Sequence, residues 1–518
     1  MIPNTYNVLV EKMANKTIAK NTIFLYFRMM FTMVVSLYTS RVVLQTLGVD
    51  DYGIYQTVGG VAGILQFIIN GSLAFGSSRF ITYEIGRGDE KSLMKTFSSL
   101  LTIHIFIGLL VILLAETVGL WFVYNKLVIP DERFFSAVVV YHISILSSFI
   151  GITQVPYTAV IIGHERMSIY AYMSIVEALL KLLIVYLLVV GDWDKLILYS
   201  VLLALVQLLV AMVYRFYCVH HFQEAKFNFV FDKNMTKQIL GFSTWNLVEN
   251  TSISLNAQGT IILLNMFFSS AVVTARSVAN IVTMAANSFV GNFRTAVNPQ
   301  IIKRYSSEDY EGSKHLLLIS TLYSYFLMLV LALPIFFVAE PLLKLWLGQV
   351  PEYSVMFLRF SIVTALIGVF EQSFYTAFTA KGEIRESTIW SVSIGYLSFP
   401  VIYILFRLGF SPVALAWVML ASTLLSACVV KPILLVKRLN YYWKELVSLM
   451  SKCAVVSLLS IPLPLYVYLN QQIFYNGLLA FFCMVMISIL SVSLSVWFVG
   501  LQKQTRSLII IKIKNKIK

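Results

Sequence analysis

Apolar residues run through this chain from end to end in blocks broken by short polar stretches. A block of about 20 such residues crosses the roughly 30 Å hydrocarbon core of a bilayer as a helix. The pattern predicts fourteen spans, at 22–47, 52–75, 96–124, 134–162, 168–190, 195–219, 238–267, 270–298, 315–338, 354–379, 387–406, 411–436, 447–469 and 474–500. Several exceed what the hydrocarbon requires, so tilt or protrusion is expected. No hydrophilic stretch reaches domain size. The expected fold class is an all-α polytopic membrane protein.

One span breaks the apolar rule. Between Arg276 and Asn298 lie Asn280, Thr283, Asn287 and Arg294. At about 100° per residue these six positions fall within roughly 60° of one helix face. The stripe is about 33 Å long, close to the depth of the hydrocarbon. Facing lipid it would be very costly, so it is expected to line a bundle interior or a watery, cationic cavity. The plainer reading makes the asparagines interhelical glue and pairs the arginines with neighbouring acids.

The chain also repeats itself. Ile150-Gly151, Tyr157-Thr158-Ala159, Gly163 and Arg166 recur in order as Ile367-Gly368, Tyr375-Thr376-Ala377, Gly382 and Arg385. The loop at Asp89 and Lys95 has a weaker echo at Asp309 and His315. Spans one to six and seven to twelve therefore read as two copies of one unit. An even span number inserts both in the same orientation, a parallel repeat with the site expected between the halves. The expected organisation is a six-helix lobe at 1–219, a linker at 220–237, a second six-helix lobe at 238–437, and two added helices with a basic tail at 438–518.

Composition sharpens this picture. Of 518 residues, 58% are hydrophobic and 12% charged, and the net charge is +14. Such a charge can mark a nucleic-acid binder, but its distribution follows membrane topology. With the N-terminus inside, 27 Lys and Arg fall in inside segments and five outside, as the positive-inside rule requires. Both termini are thus expected in the cytoplasm, with no nucleic-acid partner. Lys12, Lys16 and Lys20 precede an apolar segment too long for a signal peptide, so a retained first span is expected. Cys218, Cys428, Cys453 and Cys483 are scattered without ligand spacing, and neither a disulfide framework nor a metal is expected. His220 and His221, beside Glu224, are expected at the surface of the linker.

The remaining intramembrane polar residues are the other candidates. Arg28, in span one, is costly without an anion or partner. Asn246, Glu249 and Asn250 share one face of span seven. Glu249 and Glu371 are the candidates for pairing with arginine or for coupling to an ion. Glu177 and Lys181 stand at i,i+4 and read as a structural pair. Arg359 lies near a span end, within reach of the interface. Arginine presents a rigid fork suited to phosphate oxygens, and Asn amides suit phosphate or sugar hydroxyls. The chemistry implied is anion capture by Arg28, Arg276, Asn280, Asn287, Arg294, Asn246 and Asn250. No Walker loop, nucleophile–base pattern or cofactor-binding motif is present, so an enzyme is not expected.

Two six-span halves, two added spans, and Leu47-Gly48 followed by Tyr52-Gly53-Ile54-Tyr55 resemble the polysaccharide-transport branch of the multidrug/oligosaccharidyl-lipid/polysaccharide (MOP) superfamily. The resemblance covers nearly the whole chain. It implies a bacterial inner-membrane flippase for an undecaprenyl-diphosphate-linked oligosaccharide of O-antigen, capsule or exopolysaccharide assembly. Membrane lipids, a proton or sodium ion and other assembly proteins are the implied partners. It also implies alternating access, with Arg28 and Arg276 where diphosphate-binding residues are expected. A MATE-type cation-coupled drug exporter is the alternative, and an uncoupled scramblase stays open. A polymerase or ligase of the same pathway would need a large outside loop, which is absent.

Overall fold

The computed structural model describes residues 3–501 and 506–507, save 165, 191, 229–235, 238, 240–246, 248–249 and 471–476; the side chains of 3–28, 75, 167, 295, 296 and 299 are also outside the description. Among the described residues the regular structure is helical. Among the described residues eleven helices are long and apolar enough to cross a membrane. The protein is a multi-pass membrane protein.

Helix α1 (Pro3–Arg87) turns at Gly48, whose φ of +83° is open to glycine without strain. Its 59 residues from Met29 to Arg87 are enough for two passes, spans one and two. Four helices follow: α2 (Glu90–Lys126), α3 (Asp131–Gly163), α4 (Met167–Leu187) and α5 (Lys195–His221). Next come α6 (Thr260–Phe267) and α7 (Ser270–Ser306). Then come α8 (Tyr310–Phe337), the short α9 (Ala339–Leu347), α10 (Ser354–Lys381) and α11 (Arg385–Arg407). The last three are α12 (Ala414–Leu439), α13 (Trp443–Leu469) and α14 (Gly477–Gly500). Helix α7 is long enough to cross, but its polar stripe keeps it outside the eleven. Counting α1 twice and adding α7 and the partly described span seven brings the total to about fourteen.

The chain divides into two compact units, Met1–Thr274 and Ala275–Lys518. In the first, α3 packs along α1 and α5. The end bearing the Gly48 elbow is stapled by charge. Arg133 donates to Asp51 at 2.8 Å and to Asp194 at 2.9 Å, and Ser136 donates to Asp194 at 2.8 Å. Asp194 also accepts from the amides of Leu196 and Ile197, capping α5. One arginine thus ties three helices. Thr274 donates to the Val49 carbonyl at 2.6 Å, fixing the first turn of α7 to the elbow.

In the second unit α8 packs along α10 and α14 around buried Leu329, Phe370, Phe374 and Val492. The added helices are tied in by polar contacts. Arg359 of α10 reaches the Phe336 carbonyl and the Tyr468 hydroxyl of α13, both at 3.1 Å, and Ser491 donates to the Ser460 carbonyl at 2.8 Å. Arg359 is thus a helix tether rather than a side chain reaching for the interface.

The repeat expected from sequence reappears in local geometry. Asp89 caps α2 and Asp309 caps α8, each preceded by a residue of positive φ, Gly88 at 69° and Glu308 at 65°. The tyrosine of each repeated triplet lies under a cation: Arg215 over Tyr157 at 5.7 Å, and Lys431 over Tyr375 at 5.3 Å. His220 and His221 are exposed, as expected, but Glu224 is not beside them at the surface. It is buried and meets His164 at 2.5 Å, because His164 stacks on Phe222 and draws the start of the loop inward. Glu177 and Lys181 pair at 2.6 Å, and the four cysteines are free thiols.

Candidate functional site

Helix α7 carries four of the candidate residues, because its sequence is polar rather than apolar along one side. Ala286 and Val290 are buried on one flank, and Met284 is 67% exposed on the other. Asn280, Thr283, Asn287 and Asn298 lie half-buried between them. The stripe therefore runs along the border of packed and open helix surface, where polar groups can be reached without being dissolved in lipid.

Arg276 is only 8% exposed. Its Nη1 donates to Ser361 Oγ of α10 at 2.6 Å, and its guanidinium lies 6.0 Å from the Phe357 ring centroid. Its Nε is buried and has no hydrogen-bond partner. No described carboxylate lies within ion-pair distance of Arg276 or Arg294. Burying a guanidinium on one neutral hydroxyl and one ring leaves donor capacity unused. Arg294, about 27 Å further along the helix, donates from Nη2 to Gln372 Oε1 of α10, and its Nη1 is buried without a partner. Both arginines are thus positioned by α10 through neutral groups.

Glu371 precedes Gln372 yet serves a different contact. Its Oε1 accepts from Ser391 of α11 at 3.2 Å and from Ser426 of α12 at 2.5 Å. Ser426 lies in a π-helical turn, Leu425–Val430, which inserts a residue into α12 and re-aims its side chains. One turn further along the same seam, buried Lys431 donates to Ser387 of α11 at 2.5 Å. In the first unit, Asn250 packs so closely on α1 that a Cβ at Gly71 would collide with its Oδ1. Asn246, Glu249 and the Arg28 side chain lie outside the described residues.

The candidates thus separate into groups. Arg276, Asn280, Asn287 and Arg294 share one helix edge, Glu371 belongs to the α10–α11–α12 seam of the same unit, and Asn250 belongs to the first unit. Ser361, Phe357, Gln372, Ser391 and Ser426 were not singled out by sequence. Of these, Gln372 alone carried a signal, as an amide in mid-span beside a candidate carboxylate.

Residues 18–303 match the family described as polysaccharide biosynthesis protein. The chain belongs to that family. No curated protein matches it. Among solved structures, this member of the polysaccharide biosynthesis family is similar to the lipid II flippase MurJ in an inward closed conformation, at TM-score 0.72 and 12% identity, covering 91% of this chain and 97% of that one. It is also similar to an inward-facing MATE multidrug-resistance transporter of the MOP superfamily, at TM-score 0.66 and 13% identity, covering 83% and 99%. A third is a MOP transporter from Pyrococcus furiosus described as having a binding pocket of reverse polarity, at TM-score 0.58 and 15% identity, covering 79% and 93%. The family protein therefore has the fold shared by MurJ and the MATE transporters.

Proposed function

We propose that this protein is a flippase, not an enzyme, that carries an undecaprenyl-diphosphate-linked oligosaccharide across the bacterial inner membrane. Family membership and the MurJ-like fold support the class. The observation that carries the cargo reading is Arg276, a buried guanidinium with an unpartnered Nε and no described carboxylate beside it. A diphosphate supplies the charge and acceptor oxygens that this group lacks. In this reading Arg276 receives the diphosphate and Arg294 is the second cation along the path. Asn280, Asn287, Asn246 and Asn250 hydrogen-bond the sugars or phosphates, and Arg28 completes the cationic wall. The glycan serves O-antigen, capsule or exopolysaccharide assembly. Both termini lie in the cytoplasm, and the halves admit cargo from one side at a time.

A cationic cargo is disfavoured, because three arginines against Glu249 and Glu371 leave the path net positive. This argues against the drug-exporter alternative. Coupling to a proton or sodium ion is assigned to Glu371, with Glu249 as the other carboxylate. Glu371 is held by two hydroxyls and by no described cation.

The test is lipid-linked glycan accumulation in a strain lacking this gene, complemented by wild type or by Arg276→Ala. Diphosphate-linked oligosaccharide should build up on the cytoplasmic side and be cleared by wild type alone. Unchanged glycan export with raised sensitivity to cationic dyes would overturn the reading in favour of an exporter.

A further inference from the structure

A pocket of about 270 Å³ opens at one end of the second unit, where α7, α8, α10 and α12 start or stop. Its floor is apolar, made by Ala377, Leu439 and the buried ring of Tyr441, and Tyr305 forms a wall. Three cations, Lys314, Lys381 and Arg438, converge on it from three helices. We infer that this pocket binds the phosphate of an anionic phospholipid headgroup.

The three cations are held in different ways. Lys314 is 15% exposed, lies 5.8 Å from the ring centroids of both Tyr441 and Tyr442, and meets Glu311 at 2.7 Å. Lys381 donates to the Arg438 carbonyl at 2.8 Å and meets Glu383 at 3.0 Å. Arg438 donates to Glu386 at 2.7 Å. The carboxylates Glu311, Glu383 and Glu386 are 78%, 57% and 44% exposed. Exposed ion pairs contribute little and are screened by salt, so these acids can swing into water. The cations cannot follow, because rings and a backbone carbonyl hold two of them over the pocket. A phosphate offers charge and several acceptors at one point, and suits the arginine fork.

Size and depth select the source. Drug-sized ligands occupy about 300–1,000 Å³, so this pocket admits a headgroup but not an oligosaccharide. It lies at the helix ends, beside Tyr442 and Trp443, which are 65% and 49% exposed. Exposed Tyr and Trp mark the membrane–water interface, and basic pockets between helix ends at that depth suit anionic headgroups. The proposal is separate from the cargo path and stands or falls without it.

The test uses the full-length protein purified in neutral detergent, with binding read by native mass spectrometry and thermal shift. The probes are phosphatidylglycerol, phosphatidylcholine and inorganic phosphate. Phosphatidylglycerol should bind and raise the melting temperature, and phosphatidylcholine should do neither. Each cation near a headgroup contributes roughly a fivefold gain, so Lys381→Gln with Arg438→Gln should weaken binding about 25-fold. Arg438 is 55% exposed, so the single variant Arg438→Gln folds and should weaken binding about fivefold. Glu311→Gln, which frees Lys314, should tighten it. Inorganic phosphate that stabilises wild type but not the double variant, and competes with the lipid, would assign the same site to a soluble phosphate. Equal binding of the two lipids, or phosphatidylglycerol binding untouched in the double variant, would overturn the inference.

Discussion

Replacing Arg276 by methionine separates a functional arginine from a structural one. The guanidinium is nearly fully buried and held by Ser361 at 2.6 Å and the Phe357 ring at 6.0 Å. Burying an ion costs several kcal/mol even after relaxation. Against this, a hydrogen bond to a charged group returns about 1.5–3 kcal/mol, and a desolvated cation–π contact about 2 kcal/mol. The unpartnered Nε returns nothing. The balance in the empty protein is near zero or unfavourable. Methionine fills similar space without the ion, so the variant should be equally stable or more stable, by up to about 1–4 kcal/mol. Glycan export should nevertheless be abolished. Arg276→Lys should recover part of it, since a point charge lacks the fork. The assays are thermal unfolding of the purified protein and surface glycan in the complemented deletion strain. An arginine paired with a hidden acid predicts the opposite, a loss of about 3–5 kcal/mol on breaking the pair. A marked fall in melting temperature with export intact would refute the reasoning.

Three further outcomes are expected. Glu371→Gln keeps an acceptor for Ser391 and Ser426 but cannot change charge, so the protein should fold normally while transport in vesicles stops responding to an imposed ion gradient; an unaltered response would remove Glu371 from coupling. Gly53→Ala drives a Cβ into the Ser270 carbonyl oxygen, a backbone atom that cannot step aside, and should destabilise by about 1–3 kcal/mol in thermal unfolding. Acid should loosen the Arg133 staple. Burial alone would raise the Asp194 carboxyl above its ordinary 3.8, but hydrogen bonds from Ser136 and Ile197 and the Arg133 charge hold it below. Its stabilisation is therefore complete above about pH 4 and lost as pH falls through the folded value, whereas Arg133→Gln should flatten that acid limb of the melting curve.

Much of the fold was legible because a bilayer imposes length and polarity on every crossing segment. The stripe on α7 was legible for the same reason: at 100° per residue its polar positions could only share one edge. The same polarity makes α7 fail a hydropathy criterion, so it was found by its face rather than by its mean. What holds Arg276 was not legible. Ser361 and Phe357 lie 85 and 81 residues away, and nothing in their own helix marks them, since serine and phenylalanine are ordinary in a membrane span. The π-helical turn at Leu425–Val430 was equally hidden, because its sequence is that of any apolar helix. Glu224 moved from surface to interior through one ring stack, a contact that linker composition could not announce.

The repeat makes the difference between the halves informative. At the 218-residue offset that relates Tyr157 to Tyr375, Thr153 corresponds to Glu371. In the first unit Arg215 stacks on Tyr157 and donates to Thr153 at 2.7 Å, so cation, ring and hydroxyl close on one another. In the second unit Lys431 stacks on Tyr375 but donates to Ser387, while Glu371 turns to Ser391 and Ser426. A serine pair from α11 thus takes up the cation and the acid separately, and the π-helical turn spaces Ser426 to meet Glu371 and Lys431 to meet Ser387. Beyond the loop, where Gly163 pairs with Gly382 and Arg166 with Arg385 at an offset of 219, Ser387 and Ser391 correspond to Ser168 and Tyr172. The same scaffold therefore builds a closed cation–ring–hydroxyl contact in one half and a carboxylate with its own hydroxyl donors in the other. That second half also contains Arg276 and Arg294 on α7. A carboxylate held only by hydroxyls and arginines with unused donors then share one compact unit.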